Sequence, residues 1–224
     1  SVLAEKNDVL LHTHLAESDD ENSFCMQKKG LRPLEYLEKV GWLNERTWIA
    51  HGIHFTKDEM VKLAKSKIGV SHCPTSNMLL SSGVCQVPEM EDSGVAVGLG
   101  VDGSGSNDSS NLFNEIRMGF LLQRLHFGTK VTHLDALRWA TEGGANALKR
   151  SDIGRISEGM QADLSLFKLD ELRFSGNGDP LAALVICGAN KADRVMVAGK
   201  WVLVDSKIPN FDLELLQNIH QREA

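Results

Sequence analysis

The sequence predicts an α/β fold with a parallel sheet of the (β/α)-barrel type. Four short apolar runs alternate with segments of helical periodicity, which is typical of parallel sheets whose strands are buried on both faces. Each run also leads into a residue that can bind a metal ion or transfer a proton, and barrel enzymes build their sites at these strand ends. The runs are residues 9–11, 48–50, 68–70 and 95–101, and they lead into His12 and His14, His51, His72 and Asp102, respectively.

The helices between the strands follow from capping residues and apolar spacing. Pro33 suits the first turn of one helix and Gly41 its C-terminal end. Thr56 begins a capping box for the next helix along the chain. The predicted helices are residues 32–41, a helix beginning after Thr56, and residues 87–93, 111–127 and 132–148. Four strand–helix units make only half of an eight-stranded barrel, so the free edges of such a sheet would be exposed.

The pattern changes after residue 151. Residues 194–197 and 201–204 alternate around Gly199 and predict a hairpin. We therefore predict a barrel part over residues 1–151, a small β-rich part over 152–206, and a tail over 207–224 that contains a polar helix at 211–221.

Composition excludes several classes of partner. The chain of 224 residues has 24 basic and 30 acidic residues, a net charge of −6, and no basic cluster that would bind nucleic acid. No apolar run approaches the roughly 18 residues that span a bilayer. The four cysteines form no CxxC pair, so we expect reduced thiols and a cytoplasmic protein.

The first strand end offers a candidate metal site. His14 and Glu17 are three residues apart, so the imidazole could bind a metal ion while the carboxylate reaches a substrate or a water. The alternative is a turn on which both side chains are merely exposed. His12 points to the same face as His14, and its position favours a structural, hydrogen-bonded histidine.

The later strand ends supply further candidates. Asp102 follows a buried run, where a carboxylate needs a cation or several hydrogen-bond donors. His51 suits a ligand or an acid–base role, with a structural histidine at a strand end as the alternative. The predicted substrate contacts are His72, Asn77 and Ser106, in the polar segments 71–77 and 103–110. Those segments could instead cap a turn and a helix.

The sequence motifs of several other classes of active site are absent from the chain. The chain contains neither a Gly-x-Ser-x-Gly elbow nor a phosphate loop of the GxxxxGK type. It also lacks the H-x-E and P-C-x-x-C pair of the small zinc nucleoside deaminases.

The motifs together resemble those of the amidohydrolase superfamily, in particular its deaminase branch that acts on aromatic bases and triazines. The resemblance covers nearly the whole chain and keeps the family's order. Its motifs are His14-Leu15-Ala16-Glu17, Ala50-His51-Gly52, the segment 71–77, Gly100-Val101-Asp102-Gly103, and Gly154-x-Ile156 with Gly159 and Ala162-Asp163-Leu164. Segments 52–55, 102–111 and 172–176 narrow the resemblance to members that act on an oxidised purine.

The resemblance implies a fold and an activity. The fold would be the C-terminal half, strands 5–8, of a TIM-like (β/α)8 barrel with part of a small β-sandwich, and the family's strand-1 H-x-H ligands would lie outside this chain. The activity would be hydrolytic deamination of 8-oxoguanine to urate and ammonia. Guanine or a hydroxytriazine are the alternative substrates, and a non-catalytic metal-binding fragment is the alternative of another class.

The resemblance also implies residue roles. His14 and Asp102 would bind one divalent metal ion, zinc, with iron as the alternative. Asp102 would accept a proton from the attacking water, Glu17 would protonate the ring nitrogen, and His51 would stabilise the developing charge. The partner would be a small purine or related heterocycle, and the assembly could be a homo-oligomer.

Overall fold

A computed structural model describes residues 1–223 of the chain. Its first half contains a parallel sheet in which each strand pairs with the next along the sequence. This order is the one that successive βα units produce, because each crossover returns the chain to the neighbouring strand position. The strands are β1 (Leu11–Leu15), β2 (Thr47–His51), β3 (Gly69–His72) and β4 (Val97–Leu99).

Helices connect and follow these strands. Those up to β4 are α1 (Val2–Lys6), α2 (Asp19–Lys29), α3 (Pro33–Lys39), α4 (Lys57–Lys65), α5 (Pro74–Leu79) and α6 (Val87–Asp92). Those after β4 are α7 (Leu112–Phe127), α8 (His133–Arg138), α9 (Gly144–Ala147), α10 (Pro180–Ala183) and α11 (Leu213–Glu223). Short 3-10 turns cover Gly128–Lys130 and Leu172–Phe174, and π turns cover Trp139–Gly143 and Leu184–Gly188.

The core lies between the parallel sheet and its helices. Ile49, Val70 and Val97, one from each of three adjacent strands, are at most 2% exposed. Leu63 of α4 and Met90 of α6 are completely buried against them. Burial of such aliphatic side chains contributes about 1.5–3 kcal/mol each, so this layer is a main source of stability for the sheet that holds the strand ends in place.

The parallel sheet and its α/β class confirm the coarse prediction, but the limits of β1 differ. We predicted a strand over residues 9–11 that ends before His12. The strand instead runs from Leu11 to Leu15, so His12 and His14 lie within it and only Glu17 lies beyond its end. The polar residues misled the prediction, because His12 and His14 are exposed and alternate with less exposed residues along β1.

The predicted helix over 132–148 is interrupted. It begins with the expected capping box at Thr132 but passes through the π turn Trp139–Gly143 before α9. Beyond that turn the chain contacts the sheet closely, since a Cβ on Gly98 would lie 2.7 Å from the Gly144 Cα. Paired glycines permit this approach, which an uninterrupted helix with side chains at these positions would prevent.

Four helices were not predicted. They are α1, α2, α5 and α10. In α2 no residue is buried, so an apolar stripe is lacking, and the helix is defined by its ends instead. The Ser18 side chain accepts a hydrogen bond from the Glu21 amide at one end, and Gly30 adopts a left-handed conformation at the other.

The later part of the chain contains an antiparallel sheet of three strands. They are β5 (Leu164–Leu166), β6 (Arg194–Val197) and β7 (Lys200–Leu203). The predicted hairpin is confirmed, and its turn at Ala198 and Gly199 has positive φ at both residues, as a type I′ turn requires. The four cysteines are unpaired, as expected, although Cys187 is exposed rather than buried.

Within residues 1–223, no helix has the length and apolar character needed to cross a membrane.

Candidate metal centre

Four polar side chains meet where the parallel strands end. The Nε2 atom of His51 lies 3.1 Å from His14 Nδ1, 3.6 Å from a Glu17 oxygen and 3.8 Å from an Asp102 oxygen. His14 Nε2 lies 3.9 Å from the other Asp102 oxygen. One ligand atom each from His14, His51 and Asp102 fall within 4.8 Å of one another, which is a spacing that a single metal ion could bridge.

The backbone turns sharply at these positions. Ala16, His51 and Asp102 have φ values of 52°, 74° and 62°, in the left-handed region that non-glycine residues seldom adopt. Such a conformation costs of order 1–3 kcal/mol at each residue and is concentrated at functional sites. His51 is the last residue of β2, and Asp102 lies three residues beyond the end of β4.

Burial differs among the four side chains and fixes their electrostatics. His51 is completely buried, whereas the His14 side chain is 53% exposed. Burial lowers the pKa of His51 below its ordinary value, against the opposing effect of the Glu17 carboxylate. His51 is therefore neutral near pH 7, as an imidazole must be to bind a metal ion.

Asp102 remains ionised because hydrogen-bond donors surround it. Burial alone would raise the pKa of Asp102, but the Ser76 hydroxyl, the Gly103 amide and the two histidines outweigh it and hold the pKa below its usual range. The Ser76 hydroxyl donates to Asp102 Oδ2 at 2.6 Å. Ser106, predicted as a substrate contact, donates to the same oxygen at 3.3 Å and lies 2.8 Å from Ser76.

Asn77 does not reach the open side of the cluster. We predicted a substrate contact, but its side chain is completely buried beneath His51, with Asn77 Nδ2 placed 2.8 Å from His51 Nδ1. Its Oδ1 is buried without a partner. Exchanging the two amide atoms, which coordinates seldom distinguish, would let His51 Nδ1 donate to Oδ1. The lone pair of His51 Nε2 then faces His14 and Asp102, so the donor set fits a metal ion.

His72 is likewise too deep for the predicted substrate contact. It is completely buried, burial lowers its pKa to about 3, and its Nε2 lies 3.4 Å from the Gln123 side-chain amide on α7. The side chain projects from β3 towards this helix rather than beyond the strand end. His72 is therefore a neutral core histidine.

His12 has a structural environment, in line with the interpretation favoured for it. Its ring stacks on Trp48 with centroids 3.6 Å apart, and its Nδ1 lies 3.3 Å from the Trp48 carbonyl oxygen. Burial lowers its pKa.

Two buried residues beside the centre were not identified from the sequence. Glu115 and Asn107 are at most 1% exposed and are hydrogen-bonded to each other. A signal for Glu115 was available, because it lies four and eight residues before Gly119 and Gln123 on the buried stripe of α7. An acidic residue on such a stripe requires buried donors.

Comparison with known proteins agrees with this geometry. The Amidohydrolase family model matches residues 1–202. The chain is 54% identical over 223 residues to an 8-oxoguanine deaminase from Pseudomonas aeruginosa, covering 99% of this chain and 50% of that protein. It is 37% identical over 216 residues to a hydroxydechloroatrazine ethylaminohydrolase from Pseudomonas sp. strain ADP, covering 94% and 44%.

A solved structure extends the comparison to the fold. An adenosine deaminase from Xanthomonas campestris with bound zinc superposes with a TM-score of 0.93 at 31% identity, covering 99% of this chain and 51% of that one. The parallel sheet, the cluster at its strand ends and these matches define the class: the chain belongs to the amidohydrolase family. It spans about half the length of each of these relatives.

Proposed function

We propose that the protein to which this chain belongs deaminates 8-oxoguanine by hydrolysis, with urate and ammonia as products. The observation that carries this proposal is the cluster of His14, His51 and Asp102, with Glu17 beside it, in a chain 54% identical to an 8-oxoguanine deaminase. Water supplies the oxygen that replaces the amino group, so the reaction needs no oxidant or second substrate.

The metal ion that we propose is zinc, with iron as the alternative. His14 and Asp102 would bind it, and the mixed imidazole and carboxylate donors are a set that zinc accepts. The zinc in the Xanthomonas campestris relative supports this choice. Once bound, the ion would supply a water activated as a nucleophile near neutral pH.

The residues around the metal site would transfer protons and stabilise charge. Asp102, which the Ser76 hydroxyl and the Gly103 amide keep ionised, would accept the proton of the attacking water and pass it to the amino group, which leaves as ammonia. Glu17, partly exposed at the open side of the cluster, would donate a proton to the adjacent ring nitrogen of the purine. His51 is neutral and completely buried at its base, so its Nε2 would orient the water by accepting a hydrogen bond from it. After taking up a proton at Nε2, His51 would stabilise the negative charge that develops.

The chain would supply one side of a larger site. We propose that β1 to β4 are strands 5–8 of an eight-stranded barrel and that β5 to β7 belong to a small β-sandwich. Strands 1–4, with an H-x-H ligand pair, would come from the part of the protein outside this sequence. The half-length coverage of the relatives supports this division. A cytoplasmic location and a homo-oligomeric assembly remain predictions from the sequence.

Substrate comparison tests the proposal. Ammonia release by the full-length protein would be measured with 8-oxoguanine, guanine and hydroxyatrazine, with urate followed by its absorbance in the first case. We expect the highest kcat/KM with 8-oxoguanine. Turnover of guanine or the triazine alone would overturn the substrate assignment, and the 37% identity to a triazine-acting relative makes that comparison necessary.

A matched variant tests the site itself. In Asp102→Asn, the shape is kept but the negative charge is lost, so we expect loss of activity by at least about 10²-fold together with loss of bound metal. Metal content would be measured by elemental analysis. Unchanged activity in this variant would remove the proposed mechanism, whichever substrate is preferred.

A further inference from the structure

The structure assigns Glu115 and Asn107 as positioning residues for Asp102, a role that rests on the proposed metal-dependent function. They form a buried clip, defined as the Glu115–Asn107 pair and its hydrogen bonds, that ties the start of α5, after β3, to the loop after β4. Neither residue touches the cluster directly in the hydrogen bonds of residues 1–223.

The first half of the clip is the Glu115 carboxylate. It lies in the first turn of α7 and is completely buried. One oxygen accepts a hydrogen bond from the Thr75 backbone amide at 3.0 Å, and the other accepts from Asn107 Nδ2 at 2.8 Å. A buried carboxylate is tolerated only with such donors, so Glu115 favours the arrangement that keeps Thr75 and Asn107 both in contact with it.

The second half is the Asn107 amide. Besides Glu115, its Nδ2 donates to the Val101 carbonyl at 2.9 Å, and its Oδ1 accepts from the Ser109 hydroxyl at 3.0 Å. Both N–H bonds and the oxygen are thus used, which fixes the amide orientation. Val101 immediately precedes Asp102, so Asn107 holds the peptide that leads into the left-handed Asp102.

The two halves close a ring around Asp102. On one side, Thr75 is followed by Ser76, whose hydroxyl donates to Asp102 at 2.6 Å. On the other side, Asn107 holds the carbonyl before Asp102. The Asp102 carboxylate is therefore held by Ser76 at the start of α5, and its backbone by Asn107 in the loop after β4, and both segments meet at Glu115. Residues that orient a metal ligand in this way are typically worth about 10- to 100-fold in metal affinity or activity.

The first test replaces the carboxylate by its amide. Glu115→Gln keeps the size of the side chain but brings an NH₂ group against one of two N–H donors, so one hydrogen bond must break. We expect the full-length variant to bind zinc about 10- to 100-fold more weakly in competition with a chelator. We also expect its kcat to fall by a larger factor than the factor by which KM changes. Zinc retention is measured without turnover, so it reports on the clip even if the substrate assignment fails.

A reciprocal pair separates positioning from general damage. Asn107→Asp alone places two carboxylates against each other, whereas N107D combined with E115Q restores an N–H donor facing an oxygen acceptor. We expect the double variant to retain zinc and kcat better than N107D alone, although the bond to Val101 stays lost. If the double variant is no better than N107D, the clip proposal is overturned.

Asp135→Asn is the matched control. Asp135 also lies in the first turn of a helix and accepts bonds from the Thr132 amide and hydroxyl, but it belongs to α8, outside the ring. We expect D135N to lower the melting temperature with normal zinc retention and kcat. Should E115Q behave like D135N, losing stability alone, Glu115 is merely structural and the inference is wrong.

Discussion

His51 Nε2 and His14 Nδ1 lie 3.1 Å apart, with the two rings edge to face at centroids 4.6 Å apart. At this separation both nitrogens cannot carry a proton towards each other, and burial lowers the pKa of His51 so that the pair does not become doubly charged near neutral pH. A lone pair is therefore available at the centre of the cluster. Whether His51 Nε2 or His14 Nδ1 provides it depends on the tautomer of His51, and Asn77 beneath the ring sets that tautomer.

Asn77 variants would establish that dependence. Asn77→Asp retains an oxygen acceptor for His51 Nδ1–H, whereas Asn77→Ala retains nothing. We expect N77A to lower kcat about 10- to 100-fold with little change in KM, and N77D to keep more activity than N77A. If N77D were the worse of the two, the amide would be donating to Nδ1 and the inferred tautomer would be incorrect.

The serines around Asp102 should differ in importance. Ser76→Ala removes the 2.6 Å donor and Ser106→Ala the 3.3 Å donor. A hydrogen bond to a charged group is worth about 1.5–3 kcal/mol, and the shorter one should contribute more. We expect kcat to fall about 10-fold or more in S76A and less in S106A. A rise in KM confined to S106A would instead support the substrate contact predicted from the sequence.

His72 should make stability depend on pH. Its folded-state pKa of about 3 lies below the value of 6.5 in the unfolded chain, so below pH 6.5 the unfolded state binds the extra proton. Stability is therefore lost as the pH falls from about 6.5 towards 3. We expect His72→Gln to flatten this dependence in urea unfolding curves recorded between pH 7 and 4.5.

The control for the His72 variant is a second histidine, on α7, the helix that contacts His72. His126→Gln changes an exposed residue of α7 and should keep the wild-type slope of stability against pH. A wild-type slope in H72Q would show that His72 is not the group responsible.

Gly98 in β4 packs closely against Gly144, so we expect a larger residue at position 98 to destabilise the protein. A Cβ on Gly98 would lie 2.7 Å from the Gly144 Cα, a backbone atom that cannot rotate away. We expect Gly98→Ala to lower the free energy of unfolding by about 1–3 kcal/mol, measured by urea denaturation. Gly178→Ala, where nothing lies within 4 Å of the added carbon, should be neutral, and equal stability of the two variants would contradict the packing argument.

The sequence allowed the parallel sheet and the main members of the site to be predicted, because both follow from local patterns. Buried strands read as apolar runs, and Asp102 stood out as a carboxylate after such a run. The limits of β1 were wrong because exposed histidines on an uncovered strand face look like the residues of a loop. The π turn at Trp139–Gly143 was missed because the close approach of the following Gly144 to Gly98 is a tertiary contact, which local patterns do not show.

The errors within the site have a related origin. A polar segment such as 71–77 shows which donors are available, but not which side of the sheet each one faces. His72 and Asn77 were therefore assigned to the substrate, although one faces α7 and the other lies beneath His51. The partnership of Glu115 with Asn107 depends on how α7 packs against α5 and the loop after β4, which spacing alone does not determine.

The strand order also bears on how the chain folds. Because each strand of the parallel sheet pairs with its neighbour in sequence, every pairing closes only the loop of one βα unit, and the entropy cost of each closure is modest. The sheet can therefore grow one unit at a time from either end. His14 on the first strand and Asp102 after the last meet only when all of these pairings are in place. Metal affinity would then report directly on completed folding, and a trapped intermediate with one strand undocked would be recognisable by its inability to retain the ion.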